Sequence, residues 1–116
     1  MTLREEILAL ADRAVVEVAV PEWGGRTLRL AALSAADRDA YELERFEQRK
    51  AGGLPVNVRA ALVGRCVVDE NMQRVFTEAD LVALGQKNGK ALDRLYDAAL
   101  RLNVYTEAEQ KAIEGN

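Results

Sequence analysis

Apolar positions near the N-terminus follow first a helical period and then a period of two. Leu3, Ile7 and Leu10 recur at the spacing of one helix face within the first twelve residues. Between about residues 14 and 32, apolar residues alternate with polar or small ones on both sides of a Pro-Glu-Trp-Gly-Gly break. Alternation on both sides of a glycine-containing break is typical of a β-hairpin. The pattern therefore predicts an N-terminal helix followed by a hairpin.

One register of the predicted hairpin satisfies both of its faces. If Val20 lies opposite Arg26, the other apolar residues of the two strands also face one another. The same register sets Glu17 opposite Arg29 on the polar face. Because apolar and charge pairing agree, we predict this register. Two strands alone are marginal in water, so helices or strands of another subunit must cover the apolar face.

From residue 34 onward the apolar period is helical. The predicted helices span about residues 34–51, 56–68, 77–85 and 88–102, with a short terminal helix from Thr106. Four Ser or Thr residues stand three positions before an acid, the spacing of an N-terminal capping box: Thr2, Ser34, Thr77 and Thr106. Gly52, Gly53 and Pro55 end the helix at 34–51. Asn103 is expected to end the helix at 88–102 in the left-handed conformation.

Two of these helices carry contrasting patterns. In the helix at 34–51, four residues are predicted to point inward, namely Ala36, Ala40, Leu43 and Phe46. Four charged residues are predicted to point outward, namely Asp39, Glu42, Arg45 and Arg49. The helix at 56–68 is apolar on both sides and is predicted to be the most buried.

The predicted fold is α+β and mainly α. It consists of an N-terminal helix, one β-hairpin and then about four to five helices in a compact bundle. A chain of 116 residues can bury one hydrophobic core. We therefore predict a single domain over residues 1–116, with the hairpin at about 14–32 and the helical part at about 34–114.

The amino-acid composition excludes most classes of catalytic and metal-binding site. The chain has no histidine, so the usual general base and the usual metal ligand are missing, and its single cysteine suits a reducing cytosol. We predict no catalytic, cofactor-binding or metal-binding residues. A net charge of −3 gives no attraction for phosphate backbones, and no apolar run reaches membrane-spanning length. Neither nucleic acid nor a membrane is therefore expected as a partner.

The residues that could carry chemistry have simpler structural interpretations. Ser34 is expected to cap a helix, and Cys66 to be a small buried apolar residue. The acid pairs Asp37 with Asp39 and Glu42 with Glu44 are expected on solvated helix faces. The run Asp69-Glu70-Asn71 is expected to form a turn, because it lacks the spacing of a calcium loop.

Trp23 lies in the glycine-rich break, and two interpretations of it stay open. It is either an exposed anchor for a partner or a lid that folds over the open end of the hairpin core. Tyr105 raises the same question near the C-terminus. We name four candidate partner-binding residues: Trp23, Arg26, Arg29 and Tyr105.

Most of the chain resembles a known family. The resemblance to the tail assembly chaperones of long-tailed bacteriophages and prophages lies in residues 18–25, 28–33, 57–63, 66–70, 75–77, 84–85 and 91–103. It implies a non-enzymatic protein of the bacterial host cytosol that keeps the tape measure protein soluble and helps to recruit major tail tube subunits. It also implies self-association, absence from the mature virion and, in many members, a longer product made by ribosomal frameshifting.

Two other functions stay open at the level of sequence. One is a small regulatory adapter or antitoxin-like helical module that binds a defined protein or DNA target. The other is an enzyme that uses only carboxylates, which would require two convergent acids in a deep pocket. An accessible apolar groove and an unpaired hairpin edge would instead suit a holding chaperone.

Overall fold

A computed structural model describes residues 1–53 and 56–104 of the chain. Pro55, Tyr105 and the helix predicted from Thr106 lie outside the described residues. The helices and strands, in chain order, are α1 (Leu3–Ala9), β1 (Val15–Val20), β2 (Arg26–Ala31), α2 (Ala35–Lys50), α3 (Val58–Cys66), β3 (Val67–Val68), α4 (Leu81–Leu84) and α5 (Gly89–Leu102). Short 3₁₀ turns, Pro21–Trp23 and Glu78–Asp80, precede β2 and α4.

The hairpin pairs in the predicted register. Val20 lies opposite Arg26, and Glu17 lies opposite Arg29 at an ion-pair distance of 3.7 Å. The sheet also contains a strand that the periodicity did not predict. The prediction that the third helix continues to Val68 is wrong, because that helix ends at Cys66 and the next two residues form β3. β3 pairs antiparallel with β2, so the strand order is β1-β2-β3 and the chain itself covers one edge of the hairpin.

The core lies between the sheet, α3 and α5. Every residue of α3 from Ala60 to Cys66 is buried, which confirms the prediction that this helix is the central one. From the sheet, Val20 and Leu30 are fully buried against it. α5 lies where the helix at 88–102 was predicted, and it contributes these buried residues: Ala91, Leu92, Leu95, Tyr96, Ala98, Ala99 and Leu100.

α2 begins as predicted, but it turns the opposite face inward. The hydroxyl of Ser34 caps the helix by accepting a hydrogen bond of 3.1 Å from the backbone N–H of Asp37. The residues buried in α2 are Tyr41 and Arg45, whereas Leu43 and Phe46 are 55% and 52% exposed. Ala36 and Ala40 are exposed as well. The predicted inward face of this helix is therefore wrong.

A buried ionic cluster explains this orientation. The guanidinium of Arg65 in α3 is 3% exposed and donates hydrogen bonds to Glu44 at 2.7 Å and to Glu78 at 2.9 Å. Glu44 also pairs with Arg45, and the ring of Tyr41 lies 5.7 Å from both guanidiniums. Burial opposes the ionisation of Glu44, but the hydrogen bonds and charges of the two arginines outweigh it and lower its pKa. An unpaired buried guanidinium would be costly, so α2 must turn its carboxylate inward.

α1 lies apart from the core. The hydroxyl of Thr2 caps it, as predicted, by accepting a hydrogen bond of 3.1 Å from the N–H of Glu5. None of its residues is buried, and its apolar side chains at Leu3, Ile7 and Leu8 are more than half exposed. None of the described helices combines the length and apolar character that crossing a bilayer requires.

Asn103 joins three parts of the fold. Its Oδ1 accepts a hydrogen bond of 2.8 Å from the backbone N–H of Leu33, and its Nδ2 donates one of 2.8 Å to the carbonyl of Ala99. The same Nδ2 lies 3.6 Å from the Sγ of Cys66. The prediction that Asn103 is left-handed is wrong, because its φ is −89° and Val104 adopts the positive φ of 52°. α5 nevertheless ends where predicted, with Asn103 as its C-cap, and the buried amide also connects segments that are distant in sequence.

We expect the substitution Asn103→Ala to lower the free energy of unfolding by about 2 kcal/mol, because it leaves the buried N–H of Leu33 without an acceptor. Urea denaturation followed by circular dichroism measures this loss. Asn71→Ala is the matched control, since Asn71 is exposed, and it should change stability by less than about 0.5 kcal/mol. Equal losses in the two variants would contradict the connector role.

Candidate functional site

A groove runs between the tip of the hairpin and the segment that leads into α4. It consists of two adjoining hollows of about 630 and 600 Å³. The two hollows share four lining residues: Trp23, Arg26, Val75 and Phe76. Ala83 and Leu84 extend the first hollow, and Thr27, Leu28 and Arg29 extend the second. Three of the four candidate residues from the sequence therefore line one groove, and the fourth, Tyr105, lies outside the described residues.

The hairpin turn sets the position of Trp23. Pro21 starts the 3₁₀ turn with a fixed φ, and Gly24 and Gly25 follow with φ values of 70° and 71°, which favour glycine. Trp23 is half-buried and packs against the hydrophobic core, as the lid interpretation requires. It also lines both hollows of the groove, as the anchor interpretation requires. The side chain is placed to do both.

An ion pair holds this turn against α5. The guanidinium of Arg94 donates two hydrogen bonds to the carboxylate of Glu22, at 2.7 and 3.0 Å. These hydrogen bonds are the main reason that the pKa of Glu22 falls from 4.5 to about 2. Both ends of the carboxylate are engaged, so the pair restricts the orientation of the turn as well as its distance from α5. The pair therefore positions the residue next to Glu22, which is Trp23.

The opposite wall is an extended segment followed by a capped turn. The N–H of Val75 donates a hydrogen bond of 3.1 Å to the carbonyl of Val67, which attaches the segment beside β3. Thr77 then caps the 3₁₀ turn, and its N–H donates a hydrogen bond of 2.8 Å to Asp80. Behind this wall α4 lies close to α3, where a Cβ at Gly64 would overlap the side chain of Leu81. This close approach places Leu84 at the groove.

The groove combines apolar lining with basic groups. Arg26 and Lys87 line it, and neither has an ion-pair partner within residues 1–53 and 56–104. Arg29 is half-buried and faces Glu17. Asp80 is the acid of the first hollow, and it accepts the cap hydrogen bonds from Thr77. The first hollow, with Arg26 and Lys87 against Asp80, is therefore suited to an apolar surface that carries acidic neighbours. The second hollow has a mixed lining, because three acids stand there beside the arginines: Glu17, Asp69 and Glu70.

Sequence reasoning missed the second wall of this groove. Val75 and Phe76 fall between the helices predicted at 56–68 and 77–85, and nothing in their period relates them to the hairpin. The one local signal available in the sequence is the pair of apolar residues directly before the capping box at Thr77. In the structure Val75 is 49% exposed. Their partnership with Trp23 depends on the pairing of β3, which the sequence pattern did not predict.

The other candidate sites have structural explanations. Asp69 forms the predicted turn, since its Oδ1 accepts hydrogen bonds from the N–H groups of Asn71 at 2.8 Å and Gln73 at 3.0 Å. Cys66 is buried, and burial raises the pKa of its thiol to about 11. A third hollow of about 740 Å³ lies between α3 and α5, where Arg59 pairs with Asp93. Among the described residues, no cluster of three or more Cys, Asp or Glu side chains could hold a metal ion.

Comparison with known proteins identifies the family. The family profile described as "Phage tail assembly chaperone" matches residues 3–113. The chain belongs to that family. The resemblance seen in the sequence is thereby confirmed, and the match extends across both walls of the groove. No curated protein sequence matches this chaperone.

A solved structure shares the fold of this chaperone. The tail assembly chaperone of bacteriophage HK97 superposes with a TM-score of 0.62 and 23% sequence identity, covering 92% of this chain and 100% of that chain. At this identity the likeness concerns the fold. It confirms the predicted α+β, mainly helical class, and the sheet has one strand more than the predicted hairpin.

The low pKa of Glu22 predicts a contribution to stability that depends on pH. The charged carboxylate stabilises the folded chaperone above pH 4.5, and this contribution is lost as the pH falls from 4.5 towards 2. Glu22→Gln should therefore show a smaller loss of stability across that interval than the unsubstituted protein. Because Glu22 is exposed, solvent reduces the difference.

Urea denaturation at a series of pH values tests this, with the fluorescence of the only tryptophan, Trp23, as the signal next to the ion pair. Glu6→Gln in the exposed α1 is the control and should follow the profile of the unsubstituted protein. Identical pH profiles for Glu22→Gln and the unsubstituted protein would show that the ion pair does not stabilise the turn.

Proposed function

We propose that this chaperone binds apolar helical segments of the tape measure protein in the groove between Trp23 and Phe76 and so keeps that protein soluble. The observation that carries the proposal is the groove itself, which joins exposed apolar surface to two basic groups, Arg26 and Lys87, that form no ion pair with the part of the chain that the structure describes. Family membership supports an assembly partner among phage tail proteins. A holding chaperone acts by covering apolar surface, so a groove serves it where an enzyme would need convergent reactive groups.

The shape and charge of the groove favour an amphipathic helix as the bound segment. Helix-in-groove recognition uses apolar anchors at helical spacing, which the side chains of Trp23, Val75 and Phe76 would contact. Arg26 and Lys87 would then attract acidic residues that flank the apolar stripe of the client. Apolar contact supplies most of the affinity in this arrangement, and the two cations set the orientation of the client helix.

Weak individual binding suits this client. The groove is open and its apolar lining is short, so a single contact releases readily. A tape measure protein with many apolar segments would hold many copies, and their combined effect keeps the client covered while each copy exchanges. Such exchange would let the chaperone leave as the tail is assembled.

The proposal extends to the surroundings of this binding event. We place it in the bacterial host cytosol, without any bond made or broken, and with recruitment of major tail tube subunits as a second role. Self-association by strand addition is also proposed. β1 is the strand that supports it, because β3 covers the outer edge of β2 and no described strand pairs with the outer edge of β1.

The substitution Val75→Glu tests the groove. Val75 lines both hollows and is half-exposed, so a carboxylate there disrupts the apolar contact without unpacking the core. We expect the affinity for an apolar helical peptide from the tape measure protein to fall by about tenfold. Titration calorimetry measures the affinity, and light scattering of the aggregating client measures the protection.

Val82→Glu is the matched control, because Val82 is 72% exposed on α4 and lies outside the groove. This variant should bind and protect the client as the unsubstituted chaperone does. Full protection by Val75→Glu would show that the client binds elsewhere. Failure of the unsubstituted chaperone to protect any tape measure segment would reject the proposed function.

A further inference from the structure

The exposed face of α2 has the residue spacing of a coiled-coil seam. Five residues follow one another at intervals of three, four, three and four along the helix, all of them exposed: Ala36, Asp39, Leu43, Phe46 and Lys50. These intervals repeat the a and d positions of a heptad, which keep one stripe of a helix facing a partner helix. We call these five residues the α2 seam.

The α2 seam is left uncovered by the rest of the described chain. The ionic cluster around Arg65 engages the opposite face of α2 through Tyr41, Glu44 and Arg45. Leu43 and Phe46, at the centre of the seam, therefore remain more than half exposed. Two large apolar side chains on a helix with charged residues at both ends of their stripe indicate a docking surface with a defined partner orientation.

The charges of the seam identify the partner. Asp39 lies towards the N-terminal end and Lys50 at the C-terminal end, and neither has an ion pair within the described parts of the chain. A second copy of α2 laid antiparallel brings Asp39 of each copy opposite Lys50 of the other. In the same register, Leu43 of each copy meets Phe46 of the other. In this one arrangement each of the four side chains faces a complementary partner, and each of the two kinds of contact occurs twice.

A parallel arrangement of two copies fails the same comparison. It would set Asp39 against Asp39 and Lys50 against Lys50, so the like charges would repel at both ends of the apolar centre. Asp39 and Lys50 carry opposite charges and lie equally far from the midpoint between Leu43 and Phe46. A surface that pairs with its own copy across a two-fold axis requires this symmetry of opposite charges. The pattern therefore favours a second copy in antiparallel orientation over an unrelated apolar helix.

From this complementarity we infer that two copies of the chaperone associate through an antiparallel pair of α2 helices related by a two-fold axis. One helix pair is a small interface, so this association is weak and depends on concentration. It differs from strand addition at β1 in both surface and residues. It also does not rest on client binding, because the seam contains no residue of the groove.

Charge exchange in the full chain tests this inference. Asp39→Lys sets two lysines against each other at both ends of the seam, and Lys50→Asp sets two aspartates against each other. Each single substitution should weaken dimerisation by at least about tenfold. The double variant with both substitutions restores opposite charges in the antiparallel arrangement and should return the dimerisation constant to within about threefold of the unsubstituted value.

Sedimentation equilibrium over a range of protein concentrations measures the weight-average mass of each variant. Asp97→Lys, at an exposed position of α5, makes the same charge change outside the seam and should leave the mass unchanged. Circular dichroism verifies that each variant is folded. Recovery in the double variant cannot come from misfolding of the single variants, so it would establish the pairing.

Three outcomes would overturn the inference: an unsubstituted chaperone that stays monomeric throughout, single variants that associate as the unsubstituted protein does, or a double variant that fails to recover. Larger assemblies formed through other surfaces leave the comparison valid, since the variants are compared at equal concentration. If the chaperone fails to protect the client but the charge-exchange variants behave as expected, the proposed function alone is rejected. If it protects the client but the charge-exchange variants do not behave as expected, the α2 pairing alone is rejected.

Discussion

Two buried guanidinium groups determine how the helical part of this chaperone is assembled. Arg45 and Arg65 are almost completely removed from water, and Glu44 lies between them and pairs with both. Removing Glu44 would leave Arg45 without its carboxylate and Arg65 with Glu78 alone, so burial of the two arginines favours the packing that keeps the three groups together. Apart from the fully buried ring of Tyr41, α2 buries no apolar side chain in the core. The position of α2 follows from the packing of Tyr41 and from the pairing of Glu44 with Arg45 and Arg65, and the outward direction of its other apolar residues follows from that position.

Periodicity predicted those parts of the fold in which apolar burial and local pairing decide the outcome. The hairpin register was correct because one alignment of neighbouring residues satisfied both faces, and the bounds of α5 were correct because that helix is held by apolar packing. The same reasoning failed for α2, where it counted Leu43 and Phe46 as core residues. Prediction from a hydrophobic period treats every buried position as apolar. It therefore cannot identify the carboxylate of Glu44 as an inward-facing group, because its partner Arg65 lies 21 residues further along the chain.

The candidate site was predictable on one side only. Trp23, Arg26 and Arg29 were named from a glycine-rich turn, which is a local signal, and all three line the groove. The orientation of the hairpin turn and the whole of the other wall depend on contacts between distant residues. Glu22 and Arg94 are 72 positions apart, and the pairing of β3 with β2 converts residues that looked like the end of a helix into a strand. The two partners in each of these contacts are too far apart in the sequence to belong to one local pattern. Analysis of local periodicity therefore does not find them.

The separation of the groove from the α2 seam has a mechanical consequence for the proposed coverage of a long client by many copies. The groove is built by the hairpin turn, the segment after β3 and α4, whereas the seam belongs to α2. A client helix in the proposed groove therefore leaves the α2 seam free, and a paired copy leaves the groove open. Two weak contacts on different elements reinforce each other when the client is long, because each bound copy raises the local concentration of the next. If one surface served both purposes, client and copy would compete, and coverage of the client would fall as the concentration of the chaperone rose. The ionic cluster would prevent this competition in the proposed arrangement, since it turns the polar face of α2 inward and leaves Leu43 and Phe46 exposed on a helix outside the groove.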